Sequence, residues 1–188
     1  MLQAIPHAMQ RVEPWANGAG STTVILREPD CAEWRIRISV AMVDREGPFS
    51  ELPATGRTLV PLDAPMTLRF PDGHESPTLR FGTLRFDGAP APTGLLPEGP
   101  TRDFNLMLRA GARGDVLACT LVDVMVVPPV PDVRWLMYLH SGSAMLHADT
   151  QPDLALHPLD AALVMPGDGA PRVQVNGAGE IVSVKLYA

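Results

Sequence analysis

Trp34-Arg35-Ile36-Arg37-Ile38-Ser39-Val40 is the stretch on which the fold turns. Apolar and polar residues alternate in period two, with Trp34, Ile36, Ile38 and Val40 on one face and Arg35, Arg37 and Ser39 on the other. A helix would repeat its apolar face every three to four residues, so this stretch is a strand. Working outward, residues 57–62, 66–70, 79–87 and 104–109 read as similar short strands. Asp72-Gly73, Asp87-Gly88 and Pro97-Glu98-Gly99-Pro100 supply the turn chemistry between them. A second series follows at 116–127, 135–139, 144–147, 154–157, 162–165, 173–176 and 181–186. Turn signals about every 8–12 residues describe an antiparallel sandwich or barrel. The one helix candidate is 2–12, and Pro6 interrupts it.

The totals agree with many short strands. The 20 prolines in 188 residues are about twice the ordinary usage, which works against long helices. A chain that is 46% hydrophobic and 19% charged can bury a core. A net charge of −6 weighs against a nucleic-acid partner. Cys31 and Cys119 form no Cys-x-x-Cys pair and read as two reduced thiols. Residues 1–20 carry Pro6, His7, Arg11 and Glu13 where a signal peptide needs an apolar run. The longest apolar stretch, 124–130, falls far short of the ~20 residues that cross a bilayer. The expectation is a cytoplasmic protein with no membrane or nucleic-acid partner. Residues 111–115 and 126–132 are the best seams between two halves.

Three segments carry candidate chemistry. Pro14-Trp15-Ala16-Asn17-Gly18-Ala19-Gly20-Ser21-Thr22-Thr23 can present backbone N–H groups and hydroxyls to an anion, or simply turn the chain into the next strand. It lacks the lysine of a phosphate loop. Arg57, at the mouth of a strand, is either a bidentate clamp for a carboxylate or an exposed strand end. Asp103, Asn105, Met107 and Arg109 share one strand face, which suits a pocket wall or a solvated surface. The histidines are His7, His74, His140, His147 and His157, and none forms the His-x-His pair of a metal-binding barrel. His140 and His147 flank a Ser-Gly-Ser that reads as a turn. No metal and no cofactor is expected, and no nucleophile motif is present.

As a set, these segments resemble the HutD/Ves family. The resemblance rests on Trp15-Ala16-Asn17-Gly18-Ala19-Gly20 with Thr22 or Thr23, on 34–39 with Ala41 and Val43, and on Gly47-Pro48-Phe49-Ser50 with Pro53 and Arg57. Phe86-Asp87-Gly88 and Asp103-Phe104-Asn105-Leu106-Met107 complete it. It implies an all-β bicupin: two cupin-type (RmlC-like jelly-roll) antiparallel β-barrels in one chain. Residues 1–112 would form the N-terminal barrel with the ligand pocket, and 113–188 a degenerate C-terminal barrel. Ala16, Ala19, Ala54 and Asp63-Ala64 depart from the family's usual lysine and glycines, which alters the charge of the first loop.

The function expected is binding or sensing of a small polar carboxylate metabolite, for which the resemblance offers an intermediate of histidine utilisation, with a homodimer allowed. Arg57 clamps the carboxylate, and Asn17, Thr22, Ser39 and Asn105 supply neutral hydrogen bonds. Trp15, Phe49 and Met107 form apolar walls, and Asp103 holds Arg57 when the pocket is empty. The alternative is a metal-independent isomerase or hydrolase, with Asp103 as general base and Arg35 or Arg57 as electrostatic stabiliser.

Overall fold

The computed structural model describes residues 1–15, 20–149, 151–165 and 172–188. The strands are β1 (Leu2–Ile5), β2 (Arg11–Pro14), β3 (Ser21–Glu28), β4 (Ile36–Val43), β5 (Gly47–Pro48), β6 (Gly56–Pro61), β7 (Met66–Arg69) and β8 (Glu75–Thr78). They continue with β9 (Leu84–Asp87), β10 (Thr93–Leu95), β11 (Thr101–Leu108), β12 (Arg113–Val127), β13 (Val133–Ala148), β14 (Gln151–Leu156), β15 (Ala161–Val164) and β16 (Val173–Tyr187). All pairings among them are antiparallel. The helix expected over 2–12 is instead β1, a single 3-10 turn at His7–Met9, and β2. Pro6 ends the first strand, and eleven residues with so little apolar periodicity cannot nucleate a helix. Among the described residues no helix is long and apolar enough to cross a membrane.

Two compact units are present: Arg11–Ala112, and Met1–Gln10 together with Arg113–Ala188. A division at 112/113 therefore misplaces the first ten residues. They go with the C-terminal unit because β1 pairs with β15, Leu2 opposite Val164 and Ile5 opposite Ala161. Neither unit is the closed barrel that was expected. The Arg11–Ala112 unit holds a six-stranded sheet, β2-β3-β4-β11-β6-β9, and a four-stranded sheet, β5-β10-β7-β8. The other unit holds one six-stranded sheet, β1-β15-β13-β16-β12 with β14 on β13. Among the described residues none of the three closes on itself.

In the Arg11–Ala112 unit, Val43 and Leu59 from the larger sheet meet Met66 and Leu68 from the smaller one. Trp15, Phe49, Phe70, Leu84, Phe86 and Leu96 pack around them. Ile36, Ile38, Val40, Phe104 and Leu106 lie on the opposite face of β4 and β11 and are buried too. A sheet buried on both faces places Arg37, Ser39, Asp103 and Asn105 inside the protein, and that placement creates the site described below.

In the other unit, β13 and β16 run straight through points that look like turns in the sequence. Ser141-Gly142-Ser143 continues β13, and the pairing with β16 slips by one residue between Leu139 and Ser141. The slip swaps the inward parity, so Met137 and Leu139 before it and Ala144 and Leu146 after it share one core. The ladder survives because Gly142 faces Gly179. A Cβ on Gly179 would lie 2.0 Å from the Ser141 carbonyl oxygen, and one on Gly142 2.1 Å from that of Ala178. Only glycine allows backbones this close. Gly179→Val is expected to destabilise the protein by about 2–5 kcal/mol, through overpacking plus backbone strain. Gly56→Ala, where the nearest atom would be 4.0 Å away, should stay within about 0.5 kcal/mol of wild type. Chemical denaturation of both variants checks this; equal stabilities would remove the close-approach argument.

Candidate functional site

Strand register assembles the site in rows across the larger sheet of the Arg11–Ala112 unit. Arg57, Met107, Arg37 and Arg27 lie opposite one another on β6, β11, β4 and β3. The next row is Leu59, Asn105, Ser39 and Val24, and the one after it Pro61, Asp103, Ala41 and Thr22. Alternate residues of a strand share a face, so three consecutive rows of β11 and β4 present Met107, Asn105 and Asp103 beside Arg37, Ser39 and Ala41. Arg27 joins this face only because a bulge between Val24 and Leu26 shifts β3 by one residue.

These side chains line a cavity of about 560 Å³, with Trp15 on one side and Phe49 on another. Trp15 is anchored by its indole N–H, which donates to Thr22 Oγ1 at 2.8 Å. The Arg57 guanidinium, 6% exposed, sits 4.9 Å from the Phe49 ring centre and 5.1 Å from that of Phe86. Its Nη2 donates to Asn105 Oδ1 at 2.8 Å. The direct partner of Arg57 is thus Asn105, and the expected pairing with Asp103 is corrected. Asp103 projects from β11 two residues before Asn105, and its charge reaches Arg57 through space without a salt-bridge contact.

The electrostatics follow from burial. Desolvation lowers the Arg57 guanidinium to about 10, against the attraction of Asp103 and with the repulsion of Arg37. It still carries its charge at neutral pH. Desolvation pushes the Asp103 carboxyl up to about 6, and Arg57 offsets part of that shift. The Asn105 amide and the Ala41 and Asp103 backbone N–H groups also favour the ionised form, yet neither carboxylate oxygen has a partner of good hydrogen-bond geometry among the described residues. Ser39 Oγ and Arg57 Nε are likewise unpartnered there. Four buried polar atoms without partners thus belong to residues of one cavity wall, each with under 1 Å² of its own surface accessible.

Several other charges of the wall are already engaged. Glu13 receives Arg37 at 3.0 Å and Arg27 at 3.2 Å, and burial lowers the Arg37 guanidinium against that pull. Arg109 donates to Thr55 Oγ1 at 2.9 Å and lies 3.7 Å above the Trp34 ring. Arg27, Arg37, Arg45, Arg57 and Arg109 face Glu13, Glu46 and Asp103 in the lining, a cationic excess inside an acidic chain.

Of the residues singled out in the sequence, Trp15, Thr22, Ser39, Phe49, Arg57, Asp103, Asn105 and Met107 come together here. Asn17 lies outside the described residues. Arg35 does not line the cavity: it is exposed, with Nη2 3.3 Å from the Ala110 carbonyl oxygen. Arg37 is there instead. Parity with Ser39 already pointed to Arg37, and parity with Met107 to Arg109. Glu13, Arg27 and Trp34 carried no comparable signal, since Arg27 depends on a bulge and Trp34 precedes β4. Among the described residues no group of three or more His, Cys, Asp or Glu is placed to hold a metal ion.

Antiparallel sheets around an arginine-lined cavity define an all-β protein of cupin-like fold. Its sequence matches the HutD family over residues 7–183, and the chain belongs to that family. Among solved structures it is similar to the conserved protein PA5104 from Pseudomonas aeruginosa PAO1, at 22% identity and TM-score 0.90. It is also similar to HutD from Pseudomonas fluorescens SBW25, at 20% identity and TM-score 0.78, with both chains covered in full in each comparison. The pirin YhhW from Escherichia coli, solved with nickel(II), matches at 7% identity and TM-score 0.70, over 100% of this chain and 99% of that one. Identities this low speak for the fold alone. No curated protein matches the sequence.

Asp103 makes a direct prediction about stability. Unfolded, it titrates near 3.8; folded, about 6. The folded state therefore holds the extra proton between those values, so this group's contribution to stability falls as pH rises from about 4 to about 6. The loss amounts to about 3 kcal/mol, and it persists at neutral pH. Asp103→Asn removes the buried charge and is expected to raise the melting temperature at pH 7, while converging with wild type near pH 4. Thermal unfolding across pH 4–7 checks this, and a less stable Asn variant at pH 7 would overturn the assignment.

Proposed function

We propose that the Arg11–Ala112 unit binds a small polar carboxylate metabolite in this cavity. The observation that carries the reading is Arg57, a buried cation in the wall of a cavity of about 560 Å³, with no carboxylate in salt-bridge contact among the described residues. A guanidinium held by two aromatic rings and one hydrogen bond presents its planar fork in a fixed place, which suits a carboxylate. Trp15, Phe49 and Met107 supply apolar wall, and the cationic excess of the lining favours an anion. Membership of the HutD family supports an intermediate of histidine utilisation as the ligand. The reading takes the two units as the halves of a bicupin acting in the cytoplasm.

A thermal-shift panel of histidine, urocanate, formiminoglutamate, formylglutamate and glutamate selects the ligand, and calorimetric titration then tests the clamp. Arg57→Ala is expected to cost about 2–5 kcal/mol of binding, as for one partner of a buried hydrogen-bonded charge pair. Arg57→Lys keeps the charge, loses the planar fork and should give a partial defect. Arg35→Ala should bind as wild type does. Equal affinity in all four proteins would remove Arg57 from the site.

A second reading is favoured by one observation, the carboxyl of Asp103 pushed up to about 6. A carboxylate near neutrality is suited to general-base work, so a metal-independent isomerase or hydrolase built on Asp103 and Arg57 is the alternative. Product formation from any panel compound, followed by NMR and lost in Asp103→Asn, would establish it. Unchanged substrates over many hours at stoichiometric protein would leave binding as the function.

A further inference from the structure

The C-terminal unit leaves one long strand half-paired. β12 is the last strand of its sheet, and its 15 residues pair with β16 on one side alone among the described residues. A free edge of this length is a row of N–H and C=O groups ready to take another strand. Proteins that keep such an edge to themselves blunt it with lysine, proline or a short strand, and β12 has none of these devices. It carries exposed apolar side chains instead, and on both faces. Leu117, 58% exposed, shares the face of Leu121, and Val122, 74% exposed, lies on the other. A partner laid on one face of the sheet would cover one of them. A strand added to the edge flanks both.

We propose that β12 pairs antiparallel with β12 of a second copy of this chain, about a two-fold axis at Ala118. Backbone and charge agree on that register. Asp123 is left-handed, with φ 66°, and β16 accommodates it by placing Gly177 opposite. Self-pairing that ran through Asp123 needs a glycine there too. The one glycine of β12 is Gly114, at an odd separation from Asp123, and residues opposite one another must share a face. Asp123 therefore ends the paired segment. A segment 113–123 that pairs with itself is centred on Ala118 and sets Arg113 of each copy opposite Asp123 of the other. These are the two exposed charges of the strand, opposite in sign and on one face. Asp115, its third charge, is engaged within the chain, opposite Lys185 and accepting from the Tyr187 hydroxyl at 2.7 Å. The same register sets Leu117 opposite Cys119 and Val122 opposite Gly114, so neither meets a charge. Val124 and Val126 lie beyond the segment and take no part. The two-fold makes every contact twice, which is how a second copy supplies both the apolar cover and the charge spacing.

Sedimentation equilibrium of the full chain, from about 1 to about 100 µM, reads the association. Wild type is expected to be dimeric at the upper end. Leu117→Glu sets two carboxylates beside the axis and should be monomeric there. Val12→Glu, at a residue of the other unit that is 59% exposed, should dimerise as wild type does. Arg113→Glu turns two opposite-charge pairs into like-charge ones and should weaken the dimer about 10-fold. Arg113→Glu together with Asp123→Lys should recover it. A second measurement reads the register directly. With Cys31 and Cys119 both changed to serine, Ala118→Cys should form a disulfide-linked dimer under mild oxidation far faster than Thr120→Cys, because only the residue on the axis faces itself at about 4.5–5.5 Å between Cα atoms. A wild type that stays monomeric throughout would overturn the proposal and leave the edge to a different chain. A dimer untouched by Leu117→Glu would overturn β12 as the interface. Charge exchange that recovers nothing, or cross-linking as fast at Thr120 as at Ala118, would overturn the register.

Discussion

The Arg11–Ala112 unit is organised around keeping one guanidinium out of water. Arg57 projects from β6, one strand in from the edge of the larger sheet, and is buried; an unpaired buried charge costs several kcal/mol. Phe49 and Phe86, set at right angles to each other, both lie beside its charge, each contact worth about 2 kcal/mol when desolvated. One charge-assisted hydrogen bond to Asn105 adds about 1.5–3 kcal/mol. Those contacts are of the same order as the desolvation cost, so Arg57 can stay buried without a salt bridge.

Other features of the site follow from the same constraint. Asn105 must present its oxygen to Arg57, so its amide nitrogen turns back to the Asp103 carbonyl. Asp103 is left with its charge balanced only at a distance, and burial raises its affinity for a proton. Arg37 would repel Arg57 along the same row, and Glu13 from β2 neutralises it together with Arg27. The ion pairs at this end of the cavity serve to keep three arginines in one row compatible.

Much of this was legible from strand parity. Asp103, Asn105 and Met107 alternate with Phe104 and Leu106, and a strand of that pattern with one apolar face must turn the polar set to a common side. What parity could not say was whether that side meets solvent or a cavity. Arg35 and Arg37 show the limit. Both belong to the polar face by alternation, but β4 begins at Ile36, so only Arg37 is within the regular ladder and Arg35 is exposed. In the C-terminal unit, Gly142 and the glycines near 178 read as turns, since glycine usually breaks strands. In the structure they are where β13 and β16 pass too closely for any side chain.

By itself the sequence determined the all-β class, most strand positions in the Arg11–Ala112 unit, and the polar face carrying Ser39, Asp103 and Asn105. Alternation and turn residues are local, and local sterics are enough to decide them. Tertiary structure alone decided that β1 joins the C-terminal unit, that the sheets stay open, and that Arg57 rests on Asn105. The same holds for Glu13 and Arg27 meeting Arg37 at the cavity wall. Each of these depends on register between strands far apart in the chain or on a one-residue bulge. Neither leaves a periodic trace, because the free energies that choose them come from burial and charge pairing in the assembled sheet.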